Sequence, residues 1–238
     1  MKKEIEQDFY HLFRANNPKF QKAYSKLGSL YSTIPSTTGC MENNCKKEGC
    51  NSWCCRIQCP QMLYVEFLYV MSTVMRKWPT EQIAKLIDKS VKAYVKGVAT
   101  KGCIFFDEET NLCLVHRHRS LNCRIYGITP EEEFHPRYLK VKEMYKDVPL
   151  VIIKDQCNLC KTANDYVVTT DDTSKWWNKL VDIEKSIGVR KQLINDDAGG
   201  SYRTPHDHVL QYFLKEETLD NLQKIRLYAN ESEKEKAV

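Results

Sequence analysis

Six cysteines, Cys40, Cys45, Cys50, Cys54, Cys55 and Cys59, crowd into twenty residues of this chain. Cys103, Cys113 and Cys123 follow at equal spacing, and Cys157 and Cys160 close the series. They fall in loop-like segments between helical stretches, where a chain can bend around a metal. A metal needs several deprotonated ligands converging on one point, and nearby cysteines supply them at low entropic cost because short loops close easily. Eleven cysteines is an odd number, so complete pairing within one chain is impossible. A chain of 238 residues can bury a substantial core and does not need disulfides to stay folded. The clustered thiols therefore read first as metal ligands or redox groups.

The remaining bulk features narrow the setting. The start, Met1 to Asp8, has no apolar core of a signal peptide. No run of about eighteen apolar residues occurs, so no membrane span is expected. Both point to a cytoplasmic, reducing location. The net charge of +5 comes from 36 basic and 31 acidic residues spread along helices that carry both signs. That is the look of a solvated surface and argues against nucleic acid as a partner, which would want a basic cluster interleaved with aromatics. The densest basic spot, Arg117-His118-Arg119, lies inside the cysteine array, where offsetting cluster charge is as good a role as binding phosphate.

The expected fold class is mainly α: an irregular helical domain wrapped around cysteine-rich metal-binding loops, with at most a few short strands. We read residues 1–238 as a single domain, with a cysteine-rich core over about 40–160 and a helical C-terminal extension over about 170–230. Periodicity predicts a helix over 3–15 and, after Asn16-Asn17-Pro18, a second segment to about Leu27. Residues 28–59 are expected to have little regular structure. Pro60 is placed to open a helix running to about Lys77, apolar nearly all round and hence central to a core. A helix over 80–98 follows Pro79. Ile104-Phe105-Phe106 reads as a short strand and Asp107 to Asn111 as a turn. Thr129-Pro130-Glu131-Glu132 reads as a helix start, and Leu150 to Lys154 as a short strand. Asp172 or Thr173 is expected to cap a helix to about Ile187, with Trp176, Leu180, Ile183 and Ile187 inward. Helices over about 206–216 and 218–229 precede a frayed tail from Ser232.

Cys50-x3-Cys54-Cys55-x3-Cys59 places four thiols within ten residues. The side chains of adjacent Cys54 and Cys55 diverge, which suits two metals or a multi-iron cluster. Cys157-x2-Cys160 has the two-residue spacing shared by zinc and iron–sulfur sites. The order Cys-x3-Cys-Cys, Gly102-Cys103-Ile104-Phe105-Phe106-Asp107, then Cys113-Leu114-Val115-His116-x2-Arg119-Ser120-x2-Cys123-Arg124-x-Tyr126 resembles the zinc- or iron-chelating family named for a CxxCxxCC motif (YkgJ-like cysteine cluster proteins). The resemblance covers about residues 45–160. It implies that Cys50, Cys54 and Cys55 end the first motif, that Cys103, Cys113 and Cys123 are middle ligands, and that Cys157 or Cys160 is the last. Arg119 and Arg124 match the family's two arginines. The spacing Cys45-x4-Cys50-x3-Cys54-Cys55 departs from the family's first motif. Ser120 stands for its proline and His116 for its tyrosine, while Cys40 and Cys59 are extra.

The expected metal ligands are Cys45, Cys50, Cys54, Cys55, Cys59, Cys103, Cys113, Cys123, Cys157 and Cys160, with Arg119 and Arg124 beside the cofactor. Iron–sulfur clusters, one or two of [4Fe–4S] type, are the leading reading. The doublet and long gaps are unlike a zinc ribbon, the flanking helices can exclude water, and two cations sit beside Cys123. Function would then be electron transfer, with a redox partner protein, or a cluster-dependent enzyme acting on a small molecule. A zinc-stabilised interaction module is the alternative. The resemblance also admits a protein lysine N-methylase-like activity, although no Gly-rich methyl-donor loop is seen. His206-Asp207-His208 can ligate iron or act in acid–base chemistry, against the plainer reading of a capping segment after Pro205. His116 and His118 are weighed as replacements for a thiolate. Trp176-Trp177 reads as one core and one edge residue, and Met62, Met71 and Met75 as packing.

Overall fold

A computed structural model of the chain describes residues 18–36, 55–56, 59–95, 102–130, 132–133, 135–136, 139, 143, 162, 165–188 and 201–235. The elements are α1 (Pro18–Ser32), α2 (Tyr64–Lys77), α3 (Thr80–Val95), β1 (Phe106–Asp107), β2 (Leu112–Cys113), a 3-10 turn (His116–His118), α4 (Leu121–Ile125), α5 (Thr170–Ser186), α6 (Pro205–Phe213) and α7 (Glu216–Glu235). The fold is mainly α, with one two-stranded antiparallel ribbon among the described residues.

Helix α2 is the centre. Val65, Phe67, Leu68, Val70, Met71 and Val74 are all buried, so most of its circumference is covered by other elements. Helices α1, α5 and α6 pack against it, while α3 packs on α6 and α7. Helix α1 contributes Phe20, Ala23, Leu27, Leu30 and Tyr31 at three- and four-residue spacing. Helix α5 buries Trp176, Leu180 and Ile183, and Ile187 just beyond it is buried too, so the predicted inner face is the observed one. Trp176 is core. Trp177 sits at its edge, its ring 5.2 Å from Tyr202. Among the described residues no helix is long and apolar enough to cross a membrane.

Several boundaries differ from the sequence reading, each for a local reason. Helix α1 runs past Leu27 to Ser32 because Leu30 and Tyr31 continue its buried face. Helix α2 begins at Tyr64 and not at Pro60, because Met62 is held extended by a main-chain bridge to Arg203. The bridge has two hydrogen bonds, from the Met62 N–H (2.8 Å) and the Arg203 N–H (3.1 Å). The strand lies at 106–107, after a turn through Ile104 and Phe105. Helix α5 is capped by Thr169, whose hydroxyl accepts the Asp172 N–H (3.2 Å) while the Asp172 carboxylate accepts the Thr169 N–H (3.0 Å). Asp172 is thus the third residue of the helix, closing a capping box, and not the cap. Helix α7 continues through Ser232 to Glu235, so the expected frayed tail is helical there. Met62 and Met71 are core packing as expected, but Met75 is 47% exposed. The predicted helix over 3–15 and strand over 150–154 lie outside the described residues.

Candidate metal centre

Three stretches of backbone bring cysteines together. The first is the helical turn of Cys55 and Arg56. The second enters at Gly102, and its Cys103 N–H donates to the Cys55 carbonyl at 2.7 Å. A side chain at position 102 would put its Cβ 2.3 Å from that same oxygen, so only glycine allows the two main chains to approach this closely. The chain then forms the ribbon, with Phe106 opposite Cys113 and Asp107 opposite Leu112. Asn111 makes the turn with φ of 61°. Its side-chain oxygen accepts from Arg56 at 2.6 Å, tying the first stretch to the second.

The third stretch carries Cys123 on α4. The first N–H of α4, from Leu121, donates to the Glu66 carboxylate at 2.6 Å. The Ser120 hydroxyl donates to Cys123 Sγ at 3.4 Å. Cys55, Cys103, Cys113 and Cys123 all line one cavity of about 200 Å³. Its walls are largely apolar, from Met62, Val70, Phe105, Val115 and Ile125, and its polar lining includes His116, Arg119, Ser120 and Asn122.

The electrostatics follow from crowding thiols in an apolar wall. Burial pushes the Cys103 thiol well up, and the neighbouring Cys59, Cys113 and Cys123 push it further. Cys113 is held down to about 7, chiefly by its hydrogen bond with the Cys55 thiol, with the Val115 N–H, His116 and Arg119 also favouring the thiolate. A cation bound in the cavity would favour the thiolate form of these cysteines. Arg119 lines the cavity with its guanidinium against the His116 ring, and its Nε is a buried donor with no hydrogen-bond partner. An anionic thiolate centre is the kind of group such a donor serves. As the side chains lie, no three His, Cys, Asp or Glu groups among the described residues already form a coordination sphere.

Other expected site residues are placed differently. Cys59 is not among the residues lining the cavity. Its Sγ lies 3.4 Å from His206 Nδ1, and burial pushes its thiol up to about 12. Arg124 matches a family arginine, but its guanidinium donates to the carbonyls of Arg119 (3.0 Å) and Arg117 (2.8 Å) and covers the Tyr31 ring at 4.1 Å. It fastens the backbone around Cys123. His118 leaves the thiols for Thr73 Oγ1, 3.1 Å from its Nε2, and packs on Tyr69. His206 and His208 are fully buried in the first turn of α6, which Thr204 caps, so the segment caps a helix and also delivers two imidazoles to the interior. Cys40, Cys45, Cys50, Cys54, Cys157 and Cys160 lie outside the described residues.

Sequence reasoning overlooked two contributors. Glu66, the third residue of the apolar helix α2, is completely buried, accepting from the Leu63 N–H (2.9 Å), the Leu121 N–H and the Tyr31 hydroxyl (2.8 Å). An acid inside an apolar helical run was the available signal. Asn122, next to Cys123, donates to Gln61 O (2.7 Å) and to Tyr202 Oη (2.6 Å), and no local pattern marks it.

Comparison with curated proteins finds no match, and comparison with solved structures finds none either. A family model does match, over residues 44–146, somewhat under half of the chain. That segment contains all four cysteines of the cavity and both arginines, and the match supports zinc or iron as the metal bound. Residues 44–146 thus match the model of the CxxCxxCC family, described as "Putative zinc- or iron-chelating domain".

Proposed function

We propose that this protein binds an iron–sulfur cluster of [4Fe–4S] type in the cysteine-lined cavity and uses it to transfer electrons to or from a partner protein in a reducing compartment. The observation that carries the reading is the convergence of Cys55, Cys103, Cys113 and Cys123, from three separate stretches, on one apolar-walled cavity with Arg119 on its lining. Four thiolates are the usual ligand set of such a cluster. Apolar walls limit water, and the Ser120 hydroxyl on Cys123 Sγ, with the spare Arg119 donor, would offset the charge of an anionic cluster. A single zinc ion in a four-thiolate site is the competing occupant.

Anaerobic purification followed by iron and acid-labile sulfide analysis, with electron paramagnetic resonance of the reduced protein, tests the proposal. About four irons and four sulfides per cluster are expected, together with a signal that appears on one-electron reduction. Cys113→Ser and Cys123→Ser should each lose most of the metal, and Cys40→Ser much less. A colourless protein with stoichiometric zinc, even from anaerobic growth, would overturn the iron reading.

A further inference from the structure

The contact between Cys59 and His206 joins residues 147 positions apart, one just ahead of α2 and the other in the first turn of α6. Cys59 lies within the matched family segment but is additional to its motif, and His206 lies beyond that segment. The imidazole is fixed from behind. Its Nε2 lies 3.1 Å from Thr204 Oγ1, and the Thr204 hydroxyl is itself hydrogen-bonded to the Asp207 carboxylate. A hydroxyl that gives its proton to Asp207 can only accept from His206. Nε2 therefore carries the hydrogen, and Nδ1 presents a lone pair toward Cys59 Sγ.

This is the arrangement found behind metal-bound histidines: one nitrogen faces the ligand position, and the other donates into a chain ending on a carboxylate. The distance fits as well. A tetrahedral ion with a sulfur at about 2.3 Å and a nitrogen at about 2.0–2.1 Å separates the two donor atoms by about 3.6 Å. The observed separation is 3.4 Å. The pair sits next to the thiol cavity, since Cys103 feels the charge of Cys59 and Met62, which follows Cys59 closely, is one of the cavity walls.

We propose that Cys59 Sγ and His206 Nδ1 are a thiolate–imidazole pair of ligands for a zinc or iron(II) ion beside the cysteine cavity, by which helix α6 joins the metal-binding region. Binding replaces the Cys59 S–H proton, which leaves to solvent, with the metal–sulfur bond; His206 binds as the neutral imidazole and loses nothing. The assignment rests on the metal-binding reading of the cavity and adds to it an imidazole that no cysteine motif would supply.

Cobalt(II) is the probe, loaded anaerobically into the full chain and read by X-ray absorption and by its visible spectrum. In the unaltered protein an imidazole shell should accompany the sulfur shell. His206→Ala should abolish the imidazole signal, whereas His116→Ala should keep it. Cys59→Ser should lower the sulfur count, and Thr204→Val should weaken cobalt binding about 10–100-fold by freeing the ring. A pure sulfur shell in the unaltered protein, or an imidazole signal that survives His206→Ala, overturns the pair and leaves the cysteine cavity standing. Failure of the unaltered chain to bind cobalt at all overturns the pair, whereas the cysteine cavity stands or falls on its iron and sulfide content. Should His206→Ala fail to fold, the absorption spectrum of the unaltered protein against His116→Ala still decides.

Discussion

Two buried polar clusters lie beside α2, and they are finished in opposite ways. At the helix start, Glu66 and Glu184 put two carboxylates among backbone donors: Glu66 takes the N–H groups of Leu63 and Leu121, and Glu184 takes those of Tyr64 (3.2 Å) and Val65 (2.7 Å). Acids at a helix N-terminus satisfy groups that the helix itself leaves open. A short way off, the thiols of the cavity lie against each other, the Ser120 hydroxyl and a cation with a donor to spare. The carboxylates are fully used by the protein, and the thiols keep their chemistry for something else. The contrast separates what holds the fold from what would hold a metal, although both sit in the same interior.

Variants can break this division. Glu66→Ala should have the largest effect, because it strips the acceptor from two buried N–H groups and the Tyr31 hydroxyl. A loss of about 3 kcal/mol or more in urea unfolding is expected with or without metal, and Glu66→Gln should recover part of it. Metal loss from Glu66→Ala without a stability loss would put Glu66 on the wrong side of the division.

Gly102→Ala comes next. Its Cβ must push the Cys55 carbonyl away, which should cost about 1–3 kcal/mol and part Cys103 from Cys55. Reduced metal content together with a lower unfolding midpoint is the expected pair of readouts. Full metal content would mean that this backbone contact does not set the thiol geometry.

The smallest effect concerns pH. Burial, reinforced by the charge of Glu66, pushes the Glu184 carboxyl up to about 7 from an ordinary value of 4.5, despite its backbone donors. The native state therefore keeps a proton that the unfolded chain has released. This contribution is fully present below about 4.5, declines as pH rises toward about 7, and is flat above. Glu184→Gln should shrink the difference in urea midpoint between pH 5 and pH 8. An unchanged difference would assign the slope to other groups.

Sequence revealed the parts whose signal is local and periodic. Helices α2, α3 and α5 follow from apolar residues at three- and four-residue spacing, and the cysteine segments follow from their own density and from the family pattern. It was weaker where two local signals competed. Pro60 is a good helix start, but pairing of Met62 with Arg203 carries the chain four residues further in extended form. Asp172 and Thr173 both look like caps, and the box formed with Thr169 wins because it satisfies two N–H groups at once. Least visible were partnerships across the chain. Nothing near Glu66 announces Leu121, and nothing near Cys59 announces His206, because such pairs have no period and become neighbours only after the helices dock.

The bridge between Met62 and Arg203 also bears on where this polypeptide can be divided. Met62 lines the thiol cavity and, through two main-chain bonds, is joined to a residue far outside the family segment. Excising residues 44–146 would sever that join, remove the Glu184 acid from the start of the central helix and leave its amides bare. The recognisable stretch of sequence is therefore shorter than the piece of protein needed to keep its shape.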